Sequence, residues 1–189
     1  MLLPLLLLHS GNSLRSTFTA SGRARPLWLA VQRQATVLIG EEGEGTGEYG
    51  MTEMAHNDAL QILQAVNLTV ELSLTLCDNA FMRALNAQWR GKDSSTDVLS
   101  FPVEDEVMVG DVVICLSVAE RQAAERGHSL RDEVRVLLVH GLLHLMGYDH
   151  EVSLEAALEM EAAEQLLLTR LQWANNGLIS SSGQCHAVD

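Results

Sequence analysis

Three histidines, His140, His144 and His150, fall within eleven residues of a 189-residue chain that has seven in all. The run reads Val139-His-Gly-Leu-Leu-His-Leu-Met-Gly-Tyr-Asp-His150. His140 and His144 are four apart in an apolar stretch, a spacing that puts both imidazoles on one helix face, one turn apart. Gly147 can take the left-handed conformation that ends a helix and turns the chain back. That return predicts His150 beside the other two. Three neutral imidazoles suit Zn²⁺ with a fourth position kept for water or substrate, as in catalytic sites; structural sites close with four protein ligands and usually include Cys. One zinc per chain is expected, although imidazole also accepts nickel, cobalt, copper and iron.

The spacing His-x3-His-x2-Gly-x2-His is shared with a motif of zinc proteases. Those carry a Glu general base directly after the first His, where this chain has Gly141. The difference weakens a peptidase reading and leaves other zinc-dependent hydrolysis open. Asp149 is read as a polar neighbour of His150, with a fourth ligand as the alternative. Cys77, Cys115 and Cys185 are too widely spaced for a metal knuckle or a disulfide framework, which fits a reducing compartment.

These residues need a scaffold, and the sequence predicts one from about Met51. Thr52–Val66 has helical apolar spacing, and Val70, Leu72, Leu74 and Leu76 alternate as in a half-buried strand. Asp78 or Asn79 caps a helix that carries Phe81, Met82, Leu85 and Trp89, with Trp89 read as core. Val98–Phe101 is a short strand stopped by Pro102, and Asp111–Leu116 is the next strand. Ala119–Arg126 is a helix closed at Gly127. Ser129 with Asp132 resembles a capping box that opens the metal helix, Leu130–Met146. That helix is apolar almost all round from Val134, so it is expected to be central and buried. A last helix, about Leu154 to Trp173, presents Leu154, Leu158, Leu167, Leu168 and Leu171, with Glu161 and Glu164 on its solvated face. Interleaved but unequal strands and helices point to an α+β or mixed α/β layer.

The formal charge is −13, unevenly spread. Residues 1–40 hold Arg15, Arg23, Arg25 and Arg33 and no acid; the rest holds eight basic against 25 acidic residues, or −17. So acidic a body is a poor general polyanion binder. A nucleic-acid role must then rest on a local basic site around Arg90 and Lys92. Asp97 is read as a turn cap beside Thr96, the alternative being that Asp97 and Ser100, which flank the short strand, aim groups at the cleft. The four domain expectations are an organelle transit peptide over 1–40, an acidic Gly-rich linker over 41–50, a folded hydrolase domain over 51–175 and a loose tail over 176–189. A signal peptide or a misassigned start are the alternatives for the leader. No membrane association is expected.

Three blocks together resemble the YbeY family of zinc-dependent endoribonucleases. They are His140-Gly-Leu-Leu-His-Leu-Met-Gly-Tyr-Asp-His150, Leu85-Asn-Ala-Gln-Trp-Arg-Gly-Lys-Asp-Ser-Ser-Thr-Asp-Val-Leu-Ser-Phe-Pro102, and Gly110-Asp-Val-Val-Ile-Cys115. The match runs from about Leu68 to Trp173, and Glu164–Trp173 with Gly177-Leu-Ile179 is most similar to plastid members. The resemblance implies a single α+β domain, a mixed four-stranded sheet packed by helices, with zinc on His140, His144 and His150. It implies single-strand-specific cleavage of RNA in ribosomal RNA maturation and ribosome quality control. Ribosomal proteins or the small ribosomal subunit are the implied partners. The family's important arginine corresponds to Arg90.

For such a reaction, Arg90 is expected to clamp the scissile phosphate opposite the metal on His140, and Lys92 to add phosphate attraction. Pairing of Arg90 with Asp93 or Asp97 is the competing expectation. The leader directs the chain to the chloroplast stroma on this reading. A mitochondrial matrix, or a bacterial-type cytoplasm if the start is misassigned, are the alternatives. The rival functions are a zinc metallopeptidase-like hydrolase and a non-catalytic ribosome-assembly factor with structural zinc.

Overall fold

The computed structural model describes residues 34–173 and 177–178. Residues 1–33 and most of the expected tail lie outside them, and with them most of the expected transit peptide. Strand β1 (Thr36–Glu42) is followed by a single 3-10 turn, Thr46–Tyr49, and helix α1 (Thr52–Ala65). Then come β2 (Glu71–Cys77), α2 (Asn79–Arg90), β3 (Val98–Pro102), β4 (Met108–Cys115), α3 (Leu116–Arg126), α4 (Leu130–Leu145) and α5 (Leu154–Arg170). No helix among the described residues is long and apolar enough to cross a membrane.

The sheet has four strands in the order β1-β2-β4-β3. β1, β2 and β4 run parallel, and β3 pairs antiparallel with β4. The mixed four-stranded α+β architecture expected from the resemblance is the one observed. The folded body, however, starts earlier than expected: Thr36–Glu42 lies in the sheet, within segments read as leader and linker. Only Val37 of β1 is buried, so the strand carries almost no hydrophobic pattern; its backbone pairing with β2 makes it a strand.

Strand alternation sorts the two faces of the sheet. Leu72, Leu74, Leu76, Val112 and Ile114 point to a core shared with α1, α4 and α5. Leu99, Val113 and Cys115, with Cys77, point the other way, toward Met82 of α2 and Val118 of α3. Helix α4 lies in the middle of the larger core, and every residue from Val136 to Leu143 is buried. Ser129 caps it by accepting a hydrogen bond from the Asp132 N–H. Buried Asp58 of α1 accepts from Arg131 and Arg135 of α4, and Arg135 also stacks over Trp173, 4.5 Å from the ring centroid. These contacts tie the first helix and the segment that follows α5 to the central helix.

Two expectations about helix faces change. Leu154 and Leu158 of α5 are exposed, and the buried face is Met160, Ala163, Glu164, Leu167 and Leu168. Glu164, expected in solvent, is fully buried. Trp89, expected in the core, is 62% exposed and rests edge-on against Phe101 with centroids 5.7 Å apart.

Candidate metal centre and cleft

Helix α4 ends as its sequence predicts. Gly147 has φ +92°, and its N–H bonds back to the His144 carbonyl while the Tyr148 N–H bonds to the Leu143 carbonyl. The reversal carries Tyr148–His150 back over the last turn of α4. An Asx turn, with Asp149 accepting from the Glu151 N–H at 2.9 Å, fixes the chain on either side of His150. The three imidazoles therefore converge. One ring nitrogen from each of His140, His144 and His150 lies within 4.8 Å of the others, with ring centroids 4.7 to 5.2 Å apart.

Hydrogen bonding sets the tautomers. His144 Nδ1 is 3.0 Å from the Tyr148 carbonyl, which can only accept, so that nitrogen carries the proton. His140 Nδ1 is 2.7 Å from Glu164 Oε1 and donates to it. Both rings then present bare Nε2 lone pairs, and those atoms face each other at 3.1 Å. Two lone pairs so close repel unless a cation or a proton lies between them. Imidazole nitrogens about 2.0 Å from a tetrahedral zinc would be about 3.3 Å apart, close to what is seen. His150 Nδ1 is buried and has no hydrogen-bond partner among the described residues. Burial first, and the neighbouring imidazoles second, push His144 down to about 4; burial likewise lowers His150. Neutral rings are the ligand form. The donor set fits a divalent cation.

The imidazoles open into a cleft of about 400 Å³. Arg90 and Arg126 line it, with Asp97 and Ser100 on the β3 side and Tyr148 on the returning loop. Arg90 is the last residue of α2, where Gly91 takes φ +69° and stops the helix. The two acids proposed as its competing partners are engaged elsewhere. Asp93 receives a two-pronged bond from Arg83 at 2.6 and 2.7 Å. Asp97 caps the turn as expected, accepting from Thr96 and the Val98 N–H, and also from Gln122. Lys92 is exposed and does not line the cleft.

Gly141 lies close against the sheet. A Cβ there would lie 3.0 Å from Val112 Cγ1 and 3.1 Å from Ser100 Oγ, and Ser100 donates to the Gly141 carbonyl. Any side chain at 141 would start in tight contact with β3 and β4, which disfavours the carboxylate base of the peptidase motif. Sequence reasoning missed two residues of the site, Glu164 and Arg126. Glu164 left a trace: with Met160, Leu167 and Leu168 it shares the buried i, i+4, i+7, i+8 spacing of α5.

Comparison with known proteins gives the family and the fold. The sequence model of the family described as Endoribonuclease YbeY matches residues 48–172. The chain is 54% identical over 123 residues to "Endoribonuclease YBEY, chloroplastic" of Arabidopsis thaliana, covering 60% of this chain but only 20% of that longer protein. It is 52% identical over 103 residues to an Endoribonuclease YbeY of a Sulfurihydrogenibium species, covering 51% of this chain and 68% of the relative. A solution structure of a Thermotoga maritima protein superposes with a TM-score of 0.53 at 28% identity, covering 80% of this chain and all of the other.

Proposed function

The chain belongs to the Endoribonuclease YbeY family, and from that premise we propose that it is a zinc-dependent, single-strand-specific endoribonuclease that acts in ribosomal RNA maturation and ribosome quality control. The observation that carries the proposal is the convergence of His140, His144 and His150 at the floor of a cleft that also holds Arg90. We place it in the plastid stroma, because the Arabidopsis relative is named chloroplastic and residues 1–40 have an acid-free, Arg- and Ser-containing composition.

When bound, zinc supplies electrophilic assistance, lowering the pKa of water toward about 7 or polarising a phosphate oxygen. The chain's own residues do the rest. Glu164 holds the His140 Nδ1 proton, and the Tyr148 carbonyl holds that of His144, so both Nε2 lone pairs stay aimed at one point. Arg90 supplies a planar fork for two oxygens of the scissile phosphate and for the charge that grows on them. Lys92, two residues on but off the cleft lining, acts through longer-range attraction to the strand.

Gly141 packing on β3 and β4 argues against the peptidase alternative, since a side chain there would crowd Ser100 and Val112. The strongly acidic body keeps the non-catalytic assembly factor as the second reading, because it suits basic ribosomal proteins. Metal analysis of the purified protein, paired with single-stranded RNA cleavage with and without chelator, tests the proposal. Zinc near one equivalent and chelator-sensitive cleavage are expected. Metal-loaded protein that leaves RNA intact yet restores ribosome maturation would favour the assembly factor.

A further inference from the structure

Arg126 lines the same cleft as Arg90, and nothing in the proposed chemistry uses it. It is the last residue of α3, after which Gly127 takes φ +72° and the chain turns into α4. One of its nitrogens, Nη1, bonds Oε1 of Glu133, whose side chain is wholly buried on α4. The other oxygen of Glu133 is taken by His128. No other hydrogen bond from Arg126 is found among the described residues. A guanidinium has five N–H donors in a rigid plane. One is spent on orientation and the others remain available at the cleft wall, where the side chain is 28% exposed.

We infer that Arg126 is a second phosphate-binding residue, which takes the oxygens of a backbone phosphate neighbouring the one that is cut. The inference rests on the ribonuclease reading of the cleft and deepens it. Three observations favour binding over a merely structural tie between α3 and α4. The buried carboxylate holds one end of the guanidinium before any ligand arrives, which lowers the ordering cost of binding. Arg126 itself lines the cleft and is partly exposed, while its partner Glu133 lies buried behind it. The cleft is otherwise rich in acids, with Asp97, Asp149 and Glu151 on its lining, so a strand with several phosphates requires a cation beyond Arg90 and the metal.

The test uses the full chain with its metal and a short fluorescein-labelled single strand with 2′-O-methyl groups, read by anisotropy across about 50 to 200 mM KCl. Arg126→Gln is expected to raise Kd roughly tenfold and to lower the slope of log Kd against log salt by about 0.7, one single-strand phosphate contact. With cleavable RNA the loss should fall on KM more than on kcat. Arg126→Gln with Glu133→Gln removes the buried charge together with its partner and should show the same two changes. Wild-type Kd and slope in a folded variant would overturn the inference, as would failure of both variants to fold. If the wild-type protein binds the strand but cleaves no RNA, the ribonuclease proposal fails and the Kd comparison still decides Arg126.

Discussion

Glu164 and His140 form a buried hydrogen bond of 2.7 Å between the last helix and the central one. Nothing in the hydrophobic core requires a carboxylate there, and an unpaired one would be costly. The Gly177 backbone lies against it so closely that a Cβ would come 2.3 Å from Glu164 Oε2. The carboxylate fixes the tautomer of His140 and keeps its other nitrogen free to bind a metal. Glu164→Gln is expected to preserve the fold and to weaken metal binding about 10- to 100-fold, measured by competition with a chromophoric chelator. Unchanged affinity would reduce Glu164 to a packing role.

His144→Ala removes one of three converging nitrogens while leaving the apolar face of α4 intact. The protein should stay folded by circular dichroism, lose stoichiometric metal and lose RNA cleavage. Chelation of the wild-type protein should reproduce that loss and added zinc should reverse it. Cleavage that survives complete removal of the metal would contradict the mechanism.

Arg90→Ala takes away the proposed phosphate fork without touching the three imidazoles. A fall in kcat/KM of about 100-fold is expected, with zinc content unchanged. Arg90→Lys should recover only part of it, because an ammonium is a point charge and cannot span two oxygens. Full activity of the Ala variant would remove Arg90 from the reaction.

Gly141 tests the packing on which the cleft floor depends. A methyl group at 141 would press on Val112 and Ser100 of the neighbouring strands. Gly141→Ala should destabilise the fold by about 1–3 kcal/mol in urea titration, the usual range for overpacking. Gly141→Glu should fail to yield folded protein, and with it any attempt to install a peptidase base. A stable, metal-binding Glu variant would show that α4 can shift away from the sheet.

What could be read from the residues was whatever local chemistry dictates. The α4 boundaries followed from the Ser129 cap and Gly147, and the meeting of three imidazoles from helical spacing plus one reversal. Strand β1 was hidden because an edge strand with one buried side chain has no periodicity to detect. Trp89 went astray because a shared helix face with Met82 does not say how far the neighbouring strand extends over it. Glu164 and Arg126 depend on which helix packs on which, a tertiary fact. A charge in a sequence reads as solvated until its partner is known, and for Glu164 that partner is 24 residues away.

Asp78 links the early part of the chain to the helix that carries Arg90. Its carboxylate accepts from the Phe81 N–H at 2.8 Å, which caps α2, and from the Glu44 N–H at 3.0 Å. Gly43, at φ +93°, approaches it so closely that a Cβ there would collide with the carboxylate. The Phe81 N–H, then those of Glu44 and Ala80, outweigh partial burial and hold Asp78 below the usual carboxylate range. A depressed folded-state pKa adds stability that is present above the unfolded value, about 3.9, and is lost as pH falls through the folded value. Asp78→Ala should therefore cost about 1 kcal/mol near neutral pH, the usual value of an N-cap. The gap between variant and wild type should narrow below about pH 4. Urea titrations at neutral and acid pH measure both, and a gap that stays constant with pH would show that the carboxylate charge contributes nothing at this cap.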